Sequence, residues 1–368
     1  MIRFLLLFVL VLSIAACEKD PEISQPELPE TGNDYYFPPL SGSTWASTTP
    51  ESLNWDATKI NELYSFLETN HSRAFIVLKE GKIVMEQYWG KNILNLTPFE
   101  QNTKWYWASA GKTLTAFLVG KAQEEGFLNI QDKSSDYLGV GWTSMERSQE
   151  DEITVWNQLT MTTGLDYQAG DVNCTEPACL QYRQDPGTQW FYHNAPYTLL
   201  ESVVSQATNK DYNAYTDEKL ETTIGLKGDW VKSGYNNIYW STPRDAARFG
   251  LLILNKGAWD NTEVMTDQVY FDAMINTSQD LNPSYGYLWW LNGKSKVIYP
   301  GLPISFPVSI SPNAPADLFA AMGKNGQIID VIPSEDLVVV RMGDNPGDAL
   351  VPVAFHDEMW EKIMAIIQ

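Results

Sequence analysis

Ser109 and Lys112 stand three residues apart in the stretch Trp105-Tyr106-Trp107-Ala108-Ser109-Ala110-Gly111-Lys112-Thr113-Leu114-Thr115-Ala116. The stretch predicts a helix N-terminus, and three residues is just under one helical turn. The hydroxyl and the amine therefore share a face. A serine hydroxyl is a poor nucleophile until a base takes its proton, and a lysine amine at i+3 reaches it. The Ser109 amide lies among the unpaired N–H groups of a helix start, which suit an oxyanion. A Ser-x-x-Lys pair alone is common by chance, so its meaning depends on context.

Two further segments carry groups that fit the same chemistry. In Trp190-Phe191-Tyr192-His193-Asn194, Tyr192 and Asn194 are two apart, so an extended segment points them one way and His193 the other. A phenol relays protons and a carboxamide holds a carbonyl. An aromatic core loop with a capping asparagine explains the same residues. Gly323-Lys324-Asn325-Gly326-Gln327 precedes a predicted strand. Its glycines permit close backbone approach and Lys324 adds a cation. An ordinary hairpin turn would read the same way.

The elements that must hold these groups are legible in outline. Residues 55–70 carry helical periodicity, with Asn54 or Asp56 as the cap. Residues 74–79 and 82–89, joined by Glu80-Gly81, predict a β-hairpin. The serine helix runs over 108–125, and further helices are predicted over 153–164, 195–206 and 212–222. Thr242-Pro243 opens another at 243–254. Strands return at 285–291, 318–322, 327–332 and 337–342, after a proline-rich loop over 293–316, and a helix over 353–367 closes the chain. Strands at both ends predict an α+β fold: one central antiparallel sheet built from both termini, flanked by helices, with a mostly helical lobe inserted at about 125–240.

Composition narrows the function classes. The 368 residues carry a net charge of −21, which argues against nucleic-acid binding. Arg3, the apolar run Phe4–Ile14 and the small residues before Cys17 resemble the lipobox of bacterial lipoproteins. That implies a signal peptide over 1–16 and a lipid on Cys17, a membrane anchor placing the protein in a bacterial cell envelope. A plain secretory signal is the alternative. Residues 17–50, rich in Pro, Glu, Ser, Thr and Asn, are expected as a tether to a domain over 51–368. In an oxidising compartment Cys174 and Cys179 are expected to pair. No metal site is expected, since His71, His193 and His356 are the only histidines and none sits at ligand spacing.

In their order and spacing, Ser109/Lys112, Tyr192/Asn194 and Lys324/Gly326 resemble the motif set of the beta-lactamase and penicillin-binding-protein superfamily. Ile153–Leu165 and Ser241–Leu252 resemble two of its helical segments. Tyr285-Gly286-Tyr287-Leu288-Trp289-Trp290 resembles the class C beta-lactamase-related branch, which includes esterases and 6-aminohexanoate-dimer hydrolases. The resemblance implies a beta-lactamase/transpeptidase-like fold and a cofactor-free serine hydrolase acting on a small ester, amide or peptide. Ser109 would form an acyl-enzyme, Lys112 would be the base, and Tyr192, as phenol or phenolate, the proton relay. Asn194, Lys324, Gly326 and Gln327 would bind substrate, with the Ser109 and Gln327 amides as the oxyanion hole. A free lysine has a pKa of ~10.4, so Lys112 must be held neutral, by burial and by Lys324 as a nearby cation. A Ser-His-Asp elbow is disfavoured because Trp107 occupies the first glycine of Gly-x-Ser-x-Gly. Asn325 stands where lactamases and carboxypeptidases carry Thr or Ser, which disfavours a β-lactam or D-alanyl-D-alanine substrate. A non-catalytic envelope binding protein on the same fold is the competing class.

Overall fold

The computed structural model describes residues 35–347, 349 and 351–368. The signal segment, Cys17 and the first part of the expected tether lie outside the described residues. The last part does not behave as a tether. Tyr36 N donates to Glu80 O at 3.0 Å, and Thr48 N and Ile83 N exchange hydrogen bonds with Ile83 O and Ala46 O at 2.9 Å each. Trp45 Nε1 donates to Gly81 O at 2.8 Å. Residues 35–50 are thus docked on the first hairpin, and the folded domain starts earlier than 51. Composition alone reads this stretch as loose because these partners lie 35 to 44 residues on.

Helix α1 (Ile60–Thr69) buries Leu63 and Leu67 and is shorter than its periodicity predicts. The residues before it form short 3-10 turns, the second capped by Asp56. Strands β1 (Ser72–Lys79) and β2 (Lys82–Tyr88) form the expected hairpin. Its turn needs positive φ at both Glu80 (51°) and Gly81 (77°), a mirror-image turn that follows the strand twist. A side chain at Gly81 would place Cβ 2.0 Å from Tyr36 O, so the docked segment requires glycine there.

After β3 (Trp105–Tyr106), a 3-10 turn at Ala108–Ala110 feeds α2 (Gly111–Glu124), which is buried from Gly111 to Ala122. A helix covered on all sides belongs in the centre of the molecule. Helix α3 (Val155–Leu159) starts on a Thr154/Asn157 capping box and stops five residues before Gly164. Met161, with φ at 60°, breaks the run first. The predicted helix over 195–206 is two pieces, α4 (Asn194–Thr198) and α5 (Leu200–Thr208).

The lobe is not wholly helical. Strands β4 (Gly228–Ser233) and β5 (Asn236–Ser241) form a hairpin that pairs with β3 in a three-stranded sheet. Helix α6 (Pro243–Leu254) has the predicted Thr242 cap, closed by Asp245. Strand β6 is only Trp290–Leu291, and β7 (Phe319–Gly323), β8 (Gln327–Ile332), β9 (Leu337–Gly343) and the closing helix α7 (Val353–Ile367) follow as expected.

The main sheet runs β2-β1-β9-β8-β7-β6 and every pair is antiparallel. The period-two alternation of its strands decides what each face meets. Ile329 and Val338 face α6, where a Cβ on Gly250 would lie 2.4 Å from Val338. One residue out of phase, Asp330 accepts from His356 at 2.8 Å and from Trp360 at 2.7 Å, both on α7. Both chain ends thus build one layered core, and the C-terminal end of β7 meets the turn that carries Ser109.

Candidate active site

Ser109 sits on the turn that opens α2, and the residue before it is strained. Ala108 has φ at 48°, the left-handed region that costs a non-glycine residue about 1 kcal/mol or more. The strain is held by close packing: a Cβ on Gly323 of β7 would lie 2.6 Å from Trp107 O and 3.0 Å from Ser109 N. Only glycine lets β7 end against this turn. Trp107 is anchored below it, with Nε1 donating to Ser241 Oγ at 2.8 Å.

Lys112 Nζ lies 3.1 Å from Ser109 Oγ. The amine also donates to Asn194 Oδ1 at 2.9 Å. It stands 4.0 Å from the Tyr197 ring centre and 5.0 Å from that of Tyr192. Lys112 is 3% exposed, and burial pushes its pKa down to about 7. The expected help from Lys324 is absent, because burial alone is the cause and Lys324 is exposed to solvent. The environment tolerates both forms of the amine: burial favours the neutral one, while an acceptor oxygen and two ring faces support an ammonium.

Tyr192 is buried and burial pushes its phenol above the ordinary value, so it is a neutral phenol and not a phenolate. Ser109 is the group that most favours its ionised form, yet the hydroxyl is not in bonding geometry and has no hydrogen-bond partner. A buried unpaired hydroxyl costs about 1–3 kcal/mol unless something arrives to use it. Tyr192 is held by stacking on Trp290, with ring centres 5.8 Å apart. His193 points away from the site, as the alternation predicts, and burial lowers its pKa to about 4.

Ser109, Lys112, Tyr192 and Asn194 line one cavity of about 330 Å³, with Val172, Asn173, Tyr197, residues 236–238, Lys324 and Val351 around them. That volume suits a small molecule. A second cavity, of about 340 Å³, lies beside Trp45 and lacks such a constellation. Its arginines are engaged, Arg244 with Glu86 and Ser43 O, Arg248 with the carbonyls of Pro38, Pro39 and Ile224.

The beta-lactamase family profile matches residues 69–349, a span that contains the main sheet and every residue lining this cavity except Val351. The chain belongs to the beta-lactamase family. An uncharacterized protein of Alkalihalophilus pseudofirmus is 23% identical over 328 residues, 81% of this chain and 90% of that one. A beta-lactamase of Pseudomonas fluorescens is 26% identical over 162 residues, 42% of this chain and 44% of its own length. Among solved structures, a candidate 6-aminohexanoate-dimer hydrolase from Bacillus anthracis superposes with a TM-score of 0.65, 16% identity and 87% coverage of both chains. A family VIII carboxylesterase superposes at 0.64 with 14% identity, covering 84% of this chain and 97% of that one. These structures share the fold.

The third beta-lactamase-type segment departs from the sequence reading. Lys324–Gly326 is the turn of the β7–β8 hairpin, with Asn325 at φ 64° and Gly326 at φ 70°. Of its residues only Lys324 reaches the cavity. Gly326 is buried against Arg341, whose Nη1 would lie 2.8 Å from an added Cβ. Gln327 is 1% exposed and its carboxamide is engaged with β9, donating to Gly343 O at 2.6 Å and accepting from Gly343 N at 3.1 Å. Neither Gly326 nor Gln327 lines the site. Asn325 turns its side chain to Tyr106, donating to the hydroxyl at 2.7 Å.

Asn194 reaches the cavity, but its carboxamide is engaged with Lys112 and, through Nδ2, with Asn173 Oδ1 at 2.8 Å. Tyr197 and Asn173 were not legible as site residues. Tyr197 is three residues beyond Asn194, on the same face of α4, a signal that a helical projection could have found. Asn173 lies on a loop with no periodicity. It precedes Cys174, which pairs with Cys179 as expected.

The buried amine has a thermodynamic signature. The folded-state pKa of Lys112 is below its unfolded value, so folding releases a proton between pH about 7 and the free-lysine range. The destabilisation is complete below that window and fades as pH rises through it. Lys112→Met should therefore stabilise the domain relative to wild type at pH 6. That advantage should shrink by about 1.4 kcal/mol per pH unit on going from 7 to 10. Denaturant titrations at several pH values measure it, and a pH-independent difference would contradict the buried amine.

Proposed function

We propose that this chain is a serine hydrolase that cleaves a small ester or amide through an acyl-enzyme on Ser109. The observation that carries this reading is the Lys112 amine, buried, 3.1 Å from the Ser109 hydroxyl and with its pKa lowered to about 7. A base with a pKa near the working pH is suited to proton transfer.

Ser109 Oγ attacks the substrate carbonyl and its proton passes to the Lys112 lone pair. The resulting ammonium donates to Asn194 and lies against the Tyr192 and Tyr197 rings. The carbonyl oxygen, now anionic, takes the Ser109 amide. Its second donor is the amide at the Gly323–Lys324 corner, which packs on the same turn, in place of Gln327. The neutral Tyr192 hydroxyl gives its proton to the leaving alcohol or amine and recovers one from Lys112. Water then attacks the acyl carbon along the same path in reverse, releasing the acid and free Ser109.

Ser109→Ala should abolish labelling by a fluorophosphonate probe, read by intact mass, and Lys112→Ala should lower kcat by ~10²–10⁴-fold while the domain still melts cooperatively. In wild type, kcat/KM should rise with pH through about 7 as Lys112 becomes neutral. Labelling that survives Ser109→Ala, or a flat profile from 6 to 8, would sink the mechanism.

The substrate class follows from what the turn does. Asn325, in place of the hydroxyl residue of lactamases, is engaged with Tyr106 and offers the cavity nothing. Short-chain p-nitrophenyl esters should therefore be turned over well and nitrocefin poorly. Efficient nitrocefin cleavage would reverse that ranking.

We also propose a lipid on Cys17 that tethers the domain to the cell envelope, supported by the residues before it in the sequence. No helix among the described residues is long and apolar enough to cross a membrane. Cys17→Ser should move the protein from the membrane to the soluble fraction in the expressing bacterium, and an unchanged distribution would remove the anchor.

A further inference from the structure

We propose that Asn173, on the loop that leads into the Cys174–Cys179 disulfide, is a positioning residue for the Lys112 amine, acting through Asn194. The inference rests on the hydrolase reading above and assigns a role outside the motif residues.

A carboxamide has an acceptor end and a donor end, and which end meets Lys112 decides whether the amine can be a base. If Asn194 offered N–H groups, the lysine lone pair would accept from them and be lost to Ser109. If it offers oxygen, the amine donates there and keeps the lone pair for the serine proton. The structure has the second arrangement, with Asn194 Oδ1 accepting from Lys112 at 2.9 Å. Asn194 cannot choose this by itself, because the two ends are nearly the same shape.

The choice comes from the loop. Asn194 Nδ2 donates to Asn173 Oδ1 at 2.8 Å. Asn173 would face the same ambiguity, but its Nδ2 donates to Asp171 Oδ1 at 2.7 Å. A carboxylate only accepts, so Asp171 forces the donor end of Asn173 toward itself and the acceptor end toward Asn194. The polarity then passes from carboxylate to carboxamide to carboxamide to amine, and one orientation satisfies every link. Asp171 lies at the surface while Lys112 is buried, so a solvent-tolerant charge orients a buried base without sitting beside it. A carboxylate in direct contact would hold Lys112 as an ammonium.

The backbone keeps this loop in register. Asn173 N donates to Asp171 Oδ1 at 2.9 Å. Ala195 N donates to Val172 O and Cys174 N to Asp171 O, at 2.9 Å each, the first tying the loop to the turn that carries Asn194. Cys174 is buried and bonded to Cys179, which fixes the loop on the far side of Asn173. The groups facing Lys112 are Ser109 from its own turn, Tyr192 from the segment entering α4, and Asn194 and Tyr197 from α4. No charged group adds to the burial that sets its titration.

The test compares wild type with Asn173→Ala, by steady-state kinetics on a p-nitrophenyl ester and by NMR titration of the Lys112 Nζ in protein labelled at lysine. Without Asn173 the Asn194 carboxamide is free to turn, and Lys112 loses its fixed acceptor. An acceptor favours the ammonium, so its loss moves the Lys112 midpoint downward, by about one pH unit for one charge-assisted hydrogen bond. The acid limb of kcat/KM should move down with it, and kcat should fall about ten-fold at its plateau with KM changed less than two-fold. An unchanged midpoint and an unchanged kcat overturn the proposal. A simple packing role for Asn173 would lower the melting temperature and leave the midpoint in place, which also overturns it. If Asn173→Ala does not fold, Asn173→Ser serves for the same measurements. A wild type that titrates near pH 7 but hydrolyses no ester or amide overturns the hydrolase reading, while the shift of the Lys112 midpoint still decides the role of Asn173.

Discussion

A lysine amine without a carboxylate beside it is the constraint on which the rest of this structure turns. In water the amine is protonated and useless as a base at neutral pH. Placed against an aspartate or glutamate it would be more firmly protonated still. The chain removes Lys112 from water by making α2 a central helix, buried from Gly111 to Ala122. It then surrounds the amine with neutral groups: one carboxamide oxygen, two phenol rings and the serine. Stability is sacrificed at this point, since a buried amine favours the unfolded chain wherever the free amine would be charged.

Keeping that helix central imposes conditions on its surroundings. The turn that presents Ser109 must come up against the sheet edge, and Ala108 takes a left-handed conformation to do so. Strand β7 must end in a residue without a side chain, which is Gly323. The hairpin beyond it is then held by Arg341, a guanidinium with no exposed surface. It donates to the carbonyls of Asn325, Gly326, Asn70 and Asp344 and to Ser72 Oγ. Burial pushes even this group down to about 9, but its five donors are satisfied by oxygens and it stays in place. The Lys324–Gly326 segment is therefore mainly a turn, locked from beneath, that leaves a single cation at the mouth of the cavity.

The family explains why such an arrangement can serve several chemistries. In the proposed reaction the serine, the buried amine and the phenol would carry acyl transfer, while the walls would select the acyl group. Here the walls are Val172, Val351 and Ile238 with the asparagines between them, and the Asn325 side chain is turned to Tyr106.

Local physics made much of this legible in advance. The i, i+3 spacing of Ser109 and Lys112, the two-residue step from Tyr192 to Asn194, the Thr242-Pro243 helix start and the apolar strands near the C-terminus all express periods of two or 3.6 residues, which a sequence displays directly. The antiparallel sheet followed from strands at both ends with helices between. What sequence could not display was engagement between distant residues. The hairpin over 228–241 hid in a stretch taken as helical because its partner is β3, more than a hundred residues earlier. Gln327 and Gly326 read as ligand contacts until β9 and Arg341 were seen to occupy them. Lys324 looked like the cation that keeps Lys112 neutral, but the depth of α2 does that work. Asn173 carried no signal at all, since what ties it to Asn194 is a hydrogen bond between segments twenty-one residues apart. The sequence by itself determined which groups could act and which side of their own element they face, because those depend on covalent spacing. Only the tertiary structure decided which are buried and which partners they already hold, because burial and hydrogen-bond saturation depend on residues that the chain brings together from far apart.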